Sequence, residues 1–373
     1  MMRLIFVVLS MTVISFSLGM AFAEEPAYTD HARLLVFRDA QGEEQPVKNA
    51  QDWGIRRRHI LDGMQEAMGP LPNREALPPL DITVRDEVAE ERGVRRQTIT
   101  FASGDGDRIT AYLYLPPVSK ATRRPGILAL HQTSTIGKGE VAGYGKSKNQ
   151  AYATELAARG YVVIAPDYPS FGDSQDYDFK SDKYVSGTMK GIFNHMRAVD
   201  FLAAREDVDP DRLGVIGHSL GGHNAMFVGV FDPRLKVIVS SCGWTPFHDY
   251  YRGNLTGWTS DRYMPRLRDD YSLDPDRVPF DFYEVVAALA PRGFFSNSPL
   301  RDNNFEVAGV RKAIAEAEKV YELLAAGDRL QVRYPDCEHD FPPEVRREAY
   351  QFIDKILAHS PTADVPVIGQ AVK

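Results

Sequence analysis

Two stretches, Arg95–Phe101 and Arg108–Leu115, alternate apolar and polar side chains, and the segment between them is rich in Gly and Asp. That alternation predicts a β-hairpin with a Gly/Asp turn, and Pro116-Pro117 ends its second strand. Beyond residue 125 the pattern changes. Short apolar runs at 126–130, 161–165, 212–216, 235–239, 293–296 and 330–334 alternate with helical periodicities at 149–159, 188–204, after Ser219, at 306–326 and at 344–359. Nearly continuous apolar runs suit strands buried on both faces, as in parallel sheets covered by helices. The expected fold class is therefore α/β: one mostly parallel sheet of about eight strands, helices on both faces.

Two regions break this rhythm. Residues 24–94 are polar and punctuated, with one helical stretch carrying Trp53, Ile60, Leu61, Met64 and Met68 and ending at Gly69-Pro70; they are expected to form an N-terminal arm on a catalytic body at 95–373. The cluster Arg56, Arg57, Arg58 and His59 reads as a solvated helix face, because its surroundings are acidic. The second region lies between the runs at 235–239 and 293–296 and exceeds an ordinary connection. Its part from 244 to 283 is crowded with aromatic residues and interleaved with charges such as Arg262 and Asp261. It is expected to form a cap-like insertion, with Trp244 and Trp258 as a substrate-facing wall suited to a polar ligand.

The chain opens with one basic residue, Arg3, an apolar run, and Ala21-Phe22-Ala23 ahead of two glutamates. This predicts a secretory signal peptide at 1–23, cut after Ala23, and a secreted or periplasmic protein without stable membrane association once the signal is removed. The formal charge is −7, and cleavage would leave 43 basic residues against 51 acidic ones, or −8. An acidic surface disfavours nucleic acid as a partner. The two cysteines, Cys242 and Cys337, give neither a disulfide scaffold nor a zinc site, although an oxidising compartment allows them to pair. His195, His218, His223 and His248 show no metal-motif spacing, so no metal is expected.

The strongest chemical signal is Gly217-His218-Ser219-Leu220-Gly221-Gly222, directly after an apolar run and directly before a helical stretch. A serine on a sharp strand-to-helix turn needs small neighbours, and this makes Ser219 the candidate nucleophile. A free serine is not an alkoxide at neutral pH and needs a base. His339, in the short loop after the last strand, is the candidate. Its imidazole needs a carboxylate to hold the tautomer, and Asp302 lies beyond the carboxyl end of the preceding strand; Asp336 and Asp340 are its rivals. The backbone N–H of Leu220 is one candidate oxyanion donor, with Thr133 or Gln132 supplying the other from the loop after the 126–130 strand.

These residues carry a resemblance. His131-Gln132-Thr133, the run from Ala165 to Gly172, the serine motif, Asp302 and His339-Asp-Phe-Pro342 resemble the dienelactone hydrolase and acetyl xylan esterase branch of the α/β hydrolases, and the catalytic domain of prolyl oligopeptidases. The likeness runs from about Thr98 to His359. It implies a cofactor-free hydrolase of carboxylic esters, with a small-molecule or saccharide ester as substrate. Gln132 replaces the usual glycine after the histidine, and a serine stands where dienelactone hydrolases carry cysteine. The alternatives are a peptidase or amidase using the same groups, and an inactive binding module of the same fold.

Overall fold

The computed structural model describes residues 28–104, 106–118 and 123–361. The signal peptide expected at 1–23 lies outside the described residues. Strands β1 (Val36–Arg38) and β2 (Glu44–Pro46) pair antiparallel ahead of helix α1 (Ala50–Met68). Asn49 caps α1 by accepting the backbone N–H groups of Gln51 and Asp52, and Gly69, at φ 89°, ends it. The arm then adds a strand to the main sheet, β3 (Thr83–Ala89), antiparallel to β4 (Arg95–Ala102). The predicted hairpin follows, β4 pairing antiparallel with β5 (Arg108–Leu115).

From there strands and helices alternate: β6 (Arg124–Leu130), α2 (Tyr152–Ala158), β7 (Val162–Pro166), α3 (Gly187–Ala203), β8 (Val208–His218), α4 (Leu220–Phe231) and β9 (Leu235–Ser241). The insertion holds α5 (Arg266–Asp269) and ends in α6 (Phe282–Ala288). The chain closes with β10 (Gly293–Asn297), α7 (Val307–Leu323), β11 (Leu330–Arg333) and α8 (Pro343–Ile356). The nine-stranded sheet runs β11-β10-β9-β8-β6-β7-β5-β4-β3, parallel from β7 to β11 and antiparallel from β7 through β5 and β4 to β3. This is the expected architecture, with the arm's strand as the additional member.

Successive residues on a strand face opposite sides, so the apolar runs feed two cores at once. Leu128, Val215, Ile238 and Phe294 join the core under α3, α4, α6 and α7, whereas Ile127, Ile216, Val237 and Phe295 join the one under α2 and α8. Burial on both faces fixes the sheet's register, because a one-residue slip would exchange the two sets. All parallel strands therefore deliver their carboxyl ends to one edge, at fixed heights.

The basic cluster on α1 is only in part a solvated face, with Arg58 exposed and its neighbours held inward. Arg56 is fully buried, its guanidinium 2.5 Å from the Glu284 carboxylate and stacked over the Tyr28 ring at 3.5 Å. Arg57 donates to the carbonyls of Ala288 and Val230, and His59 meets the Tyr28 hydroxyl at 2.9 Å. A cation is expensive to bury unless paired, and the partner comes from α6. Burial alone would raise the Glu284 carboxyl, but the charges of His31 and Arg56 outweigh it and hold the group below its ordinary value. The arm is thus locked to the end of the insertion.

Candidate active site

Ser219 stands between β8 and α4 at φ 55° and ψ −118°, a conformation that L-residues rarely adopt. Strain of this kind costs roughly 1–3 kcal/mol and persists only where the surroundings enforce it. Here the Ser219 N–H donates to the Ser241 carbonyl of β9 at 2.8 Å, and the Ser219 carbonyl accepts from Gly222 and His223. The flanking glycines are required by close approach. A Cβ on Gly217 would lie 2.1 Å from the Gly221 carbonyl oxygen, and one on Gly221 would lie 2.1 Å from that of Leu130.

His339 and Asp302 come together at the same edge. The His339 Nδ1 lies 3.0 Å from both carboxylate oxygens of Asp302, and the acid side chain is 2% exposed against 26% for the imidazole. Asp302 also accepts backbone N–H groups from Asn304 and Phe305. A carboxylate held this way fixes Nδ1 as the protonated nitrogen, leaving Nε2 as a proton acceptor. The rival acids are occupied elsewhere: Asp336 pairs with Arg301 at the surface, and Asp340 accepts from Asn149 at 2.6 Å.

A polar network that sequence reasoning did not identify holds the histidine loop. The Asn297 amide donates to Ser241 Oγ at 2.8 Å and to the Asp340 carbonyl at 2.9 Å. Ser241 Oγ in turn lies 2.9 Å from Nδ1 of His218, whose ring packs edge-on against His339 at 4.9 Å. Burial, then the neighbouring His339, drives the His218 pKa well down, so this ring is neutral. The available signal was the small polar ending of two adjacent strands, Ser240-Ser241-Cys242 and Ser296-Asn297-Ser298, at the edge where Ser219 sits.

The cysteines do not form the bridge that the sequence allowed; both are free thiols. Cys242 is committed to the network, donating to the Asp340 carbonyl at 3.3 Å. Burial and then the Asp302 charge raise its pKa far above the ordinary thiol value, so it stays protonated. Cys242, Asp302 and His339 offer potential metal-ligand atoms within 4.8 Å of one another, but the carboxylate and Nδ1 are already engaged with each other.

On the other side of Ser219 lies a cavity of about 130 Å³. Ser219, Leu220 and Thr133 form one part of its lining, and His223, Tyr250, Trp258, Tyr263 and Phe305 another. The Gln132 side chain donates its amide to Glu140 at 3.2 Å. The loop carrying both candidates is pinned by His131, which accepts the Tyr168 N–H at Nε2 and bonds the Gln132 carbonyl at Nδ1. Of the two insertion tryptophans, Trp258 reaches the cavity. Trp244 does not: it is 1% exposed, donates to Ser296 Oγ at 3.0 Å and stacks on Phe282. The insertion's charges are also absent from the lining, Arg262 bonding Ser170 and Arg268 pairing with Asp269.

A largely parallel sheet, a strained serine turn at its carboxyl edge and a histidine–aspartate pair beside it together define an α/β hydrolase. The chain belongs to the alpha/beta hydrolase family, whose model matches residues 143–368. It is 30% identical over 304 residues to YtaP of Bacillus subtilis (strain 168), described as a hydrolase, covering 78% of this chain and 96% of that one. It is 26% identical to carbohydrate esterase MZ0003 of an unknown prokaryotic organism, covering 84% and 83% of the two chains. Among solved structures, a glucuronoyl esterase from Solibacter usitatus shares the fold at TM-score 0.69 and 22% identity, over 90% of this chain and 99% of that one. An acetyl xylan esterase-type structure from Bacteroides fragilis shares it at TM-score 0.57 and 18% identity, over 77% and 76%.

Proposed function

We propose that this protein is a secreted serine hydrolase that cleaves a small acyl group from a carboxylic ester, with a carbohydrate ester as the favoured substrate class. The observation that carries the reading is the His339 Nδ1–Asp302 contact at 3.0 Å on the same sheet edge as the strained Ser219 turn. In this mechanism Nε2 of His339 takes the Ser219 proton as Oγ attacks the ester carbonyl, and Asp302 stabilises the imidazolium. The tetrahedral oxyanion is met by the backbone N–H groups of Leu220, at the start of α4, and Thr133. Collapse expels the alcohol, to which His339 returns the proton, and water repeats the cycle on the acyl-enzyme. The relative named as a carbohydrate esterase and the apparent leader sequence support the substrate class and the secretion. No helix of the described residues is long and apolar enough to cross a membrane.

The test is labelling with a fluorophosphonate probe, read by intact mass, alongside a series of chromogenic esters of graded acyl length and matched amides. One label per chain, lost in Ser219→Ala, is expected, with ester turnover falling by about 10⁴- to 10⁶-fold. Near-wild-type ester turnover by a folded Ser219→Ala protein would overturn the mechanism.

A further inference from the structure

The Thr133 N–H assigned above as an oxyanion donor belongs to the peptide joining Gln132 to Thr133, in a loop outside any helix or strand. A trans peptide is planar, so this N–H points away from the Gln132 carbonyl, and whatever fixes the plane aims the donor. One hold acts on that carbonyl, which lies 2.6 Å from Nδ1 of His131. A second comes from Glu140, 8% exposed, whose carboxylate reaches both residues that flank Thr133. Its Oε2 accepts the Gln132 amide at 3.2 Å, and its Oε1 accepts the Ser134 hydroxyl at 2.7 Å. Among the described residues the Thr133 side chain itself gains only a 3.4 Å approach to the Tyr263 hydroxyl.

We propose that Glu140 is the positioning residue of the oxyanion hole: by holding Gln132 and Ser134 with one carboxylate, it sets the peptide plane that carries the Thr133 N–H. The inference deepens the hydrolase reading above and rests on it. Glu140 acts through its neighbours, since it is absent from the lining that Ser219, Leu220 and Thr133 share. Its own footing is firm. The Glu140 N–H donates to the Gly137 carbonyl at 3.0 Å, and Lys138, in the same turn, gives its N–H and its Nζ to the buried Asp167 carboxylate at 2.8 and 2.6 Å. On the other side a Cβ on Gly145 would lie 1.9 Å from Glu140 Oε2, so the chain there leaves the carboxylate little room to swing away. The Leu220 donor is held differently, because it heads α4, whose Gly221 packs directly on the Leu130 carbonyl. A negative charge near a forming oxyanion opposes it, so the contribution of Glu140 is the geometry of its two hydrogen bonds and not its field.

The experiment measures kcat and KM for 4-nitrophenyl acetate on the full chain, together with the Ki of phenylboronic acid, whose tetrahedral adduct with Ser219 places an oxygen in the oxyanion hole. Acylation and deacylation both pass through that oxyanion, so kcat reports it whichever step is slow. Glu140→Ala is expected to lower kcat about 10- to 100-fold and to weaken phenylboronic acid by a comparable factor, with KM within about threefold of wild type. Glu140→Gln is expected to restore both to within about threefold of wild type. Gln132 Oε1 has no partner among the described residues, so that amide can turn over and accept from the new one. Circular dichroism reports folding, and if Glu140→Ala unfolds, the double variant Gln132→Met with Ser134→Ala carries the test with the same split expected. A folded Glu140→Ala protein with kcat and Ki within about twofold of wild type, a loss confined to KM, or a Glu140→Gln protein as impaired as Glu140→Ala overturns the assignment and leaves the hydrolase reading standing. A wild-type protein that neither turns over the ester nor takes up fluorophosphonate overturns the hydrolase reading instead.

Discussion

The two sides of Ser219 are built on opposite rules. On the side of β9 and β10 the polar side chains form a continuous chain of bonds, from Asn297 through Ser241 to His218 and from Asn297 to the backbone beside His339. On the side of the insertion the wall is aromatic, with the rings of Trp258 and His223 4.8 Å apart. The difference teaches that rigidity and selectivity are supplied separately. A hydrogen-bonded network fixes the angle of an imidazole, whereas an aromatic wall supplies shape and apolar surface.

Breaking the network side at its acid gives the largest expected effect. Asp302→Asn removes the carboxylate that fixes the imidazole tautomer and is expected to lower ester turnover by about 10⁴-fold, while Asp336→Asn stays within a few-fold of wild type. Steady-state kinetics on one chromogenic ester decides it, and equal losses in the two variants would refute the assignment.

The two tryptophans sharpen the contrast within the insertion. Trp244→Ala opens a hole among Phe282 and Phe294 and is expected to cost about 3–5 kcal/mol in urea unfolding. Trp258→Ala, at the cavity wall, is expected to cost less stability and to change selectivity between a small acetyl ester and a bulkier saccharide ester. A uniform loss on both esters, matched by an equal loss of stability, would make the two residues equivalent and dissolve the distinction.

The smallest effect concerns pH. Burial lowers His195 to about 3, while an unfolded histidine protonates near its ordinary value of about 6.5. Between those values the unfolded state binds the extra proton, so the neutral ring's contribution is complete above pH 6.5 or so and is lost as pH falls toward 3, by about 1.4 kcal/mol per unit. His195→Gln is therefore expected to flatten the decline in stability between about pH 6.5 and 5, measured by urea midpoints. An unchanged slope would show that this ring does not resist protonation.

Much of this organisation was legible from side-chain periodicity. Runs such as 126–130 and 235–239 had to be strands because they feed cores on both faces, and the serine motif had to be a turn because its glycines leave room only for backbone. Asp302 was reachable from chain order and its place beyond a strand end. Strand β3 was not, because all seven of its residues are exposed and an edge strand needs only backbone pairing with β4. Nor was the burial of Arg56, since hydropathy assigns such a residue to the surface and its partner is 228 positions away. Trp244 and Trp258 were indistinguishable in sequence, because what separates them is a serine on β10 that one reaches.

That distance of 228 residues between Arg56 and Glu284 has a consequence for the order of assembly. During synthesis α1 emerges long before α6, and the contact that buries its guanidinium must wait for the whole segment between them. Closing so long a loop is an entropic cost met only after nearer contacts have formed. The arm therefore joins late. Its docking serves as a checkpoint on the finished insertion, and a chain interrupted before Glu284 would leave a cation and an apolar helix face available to chaperones and proteases.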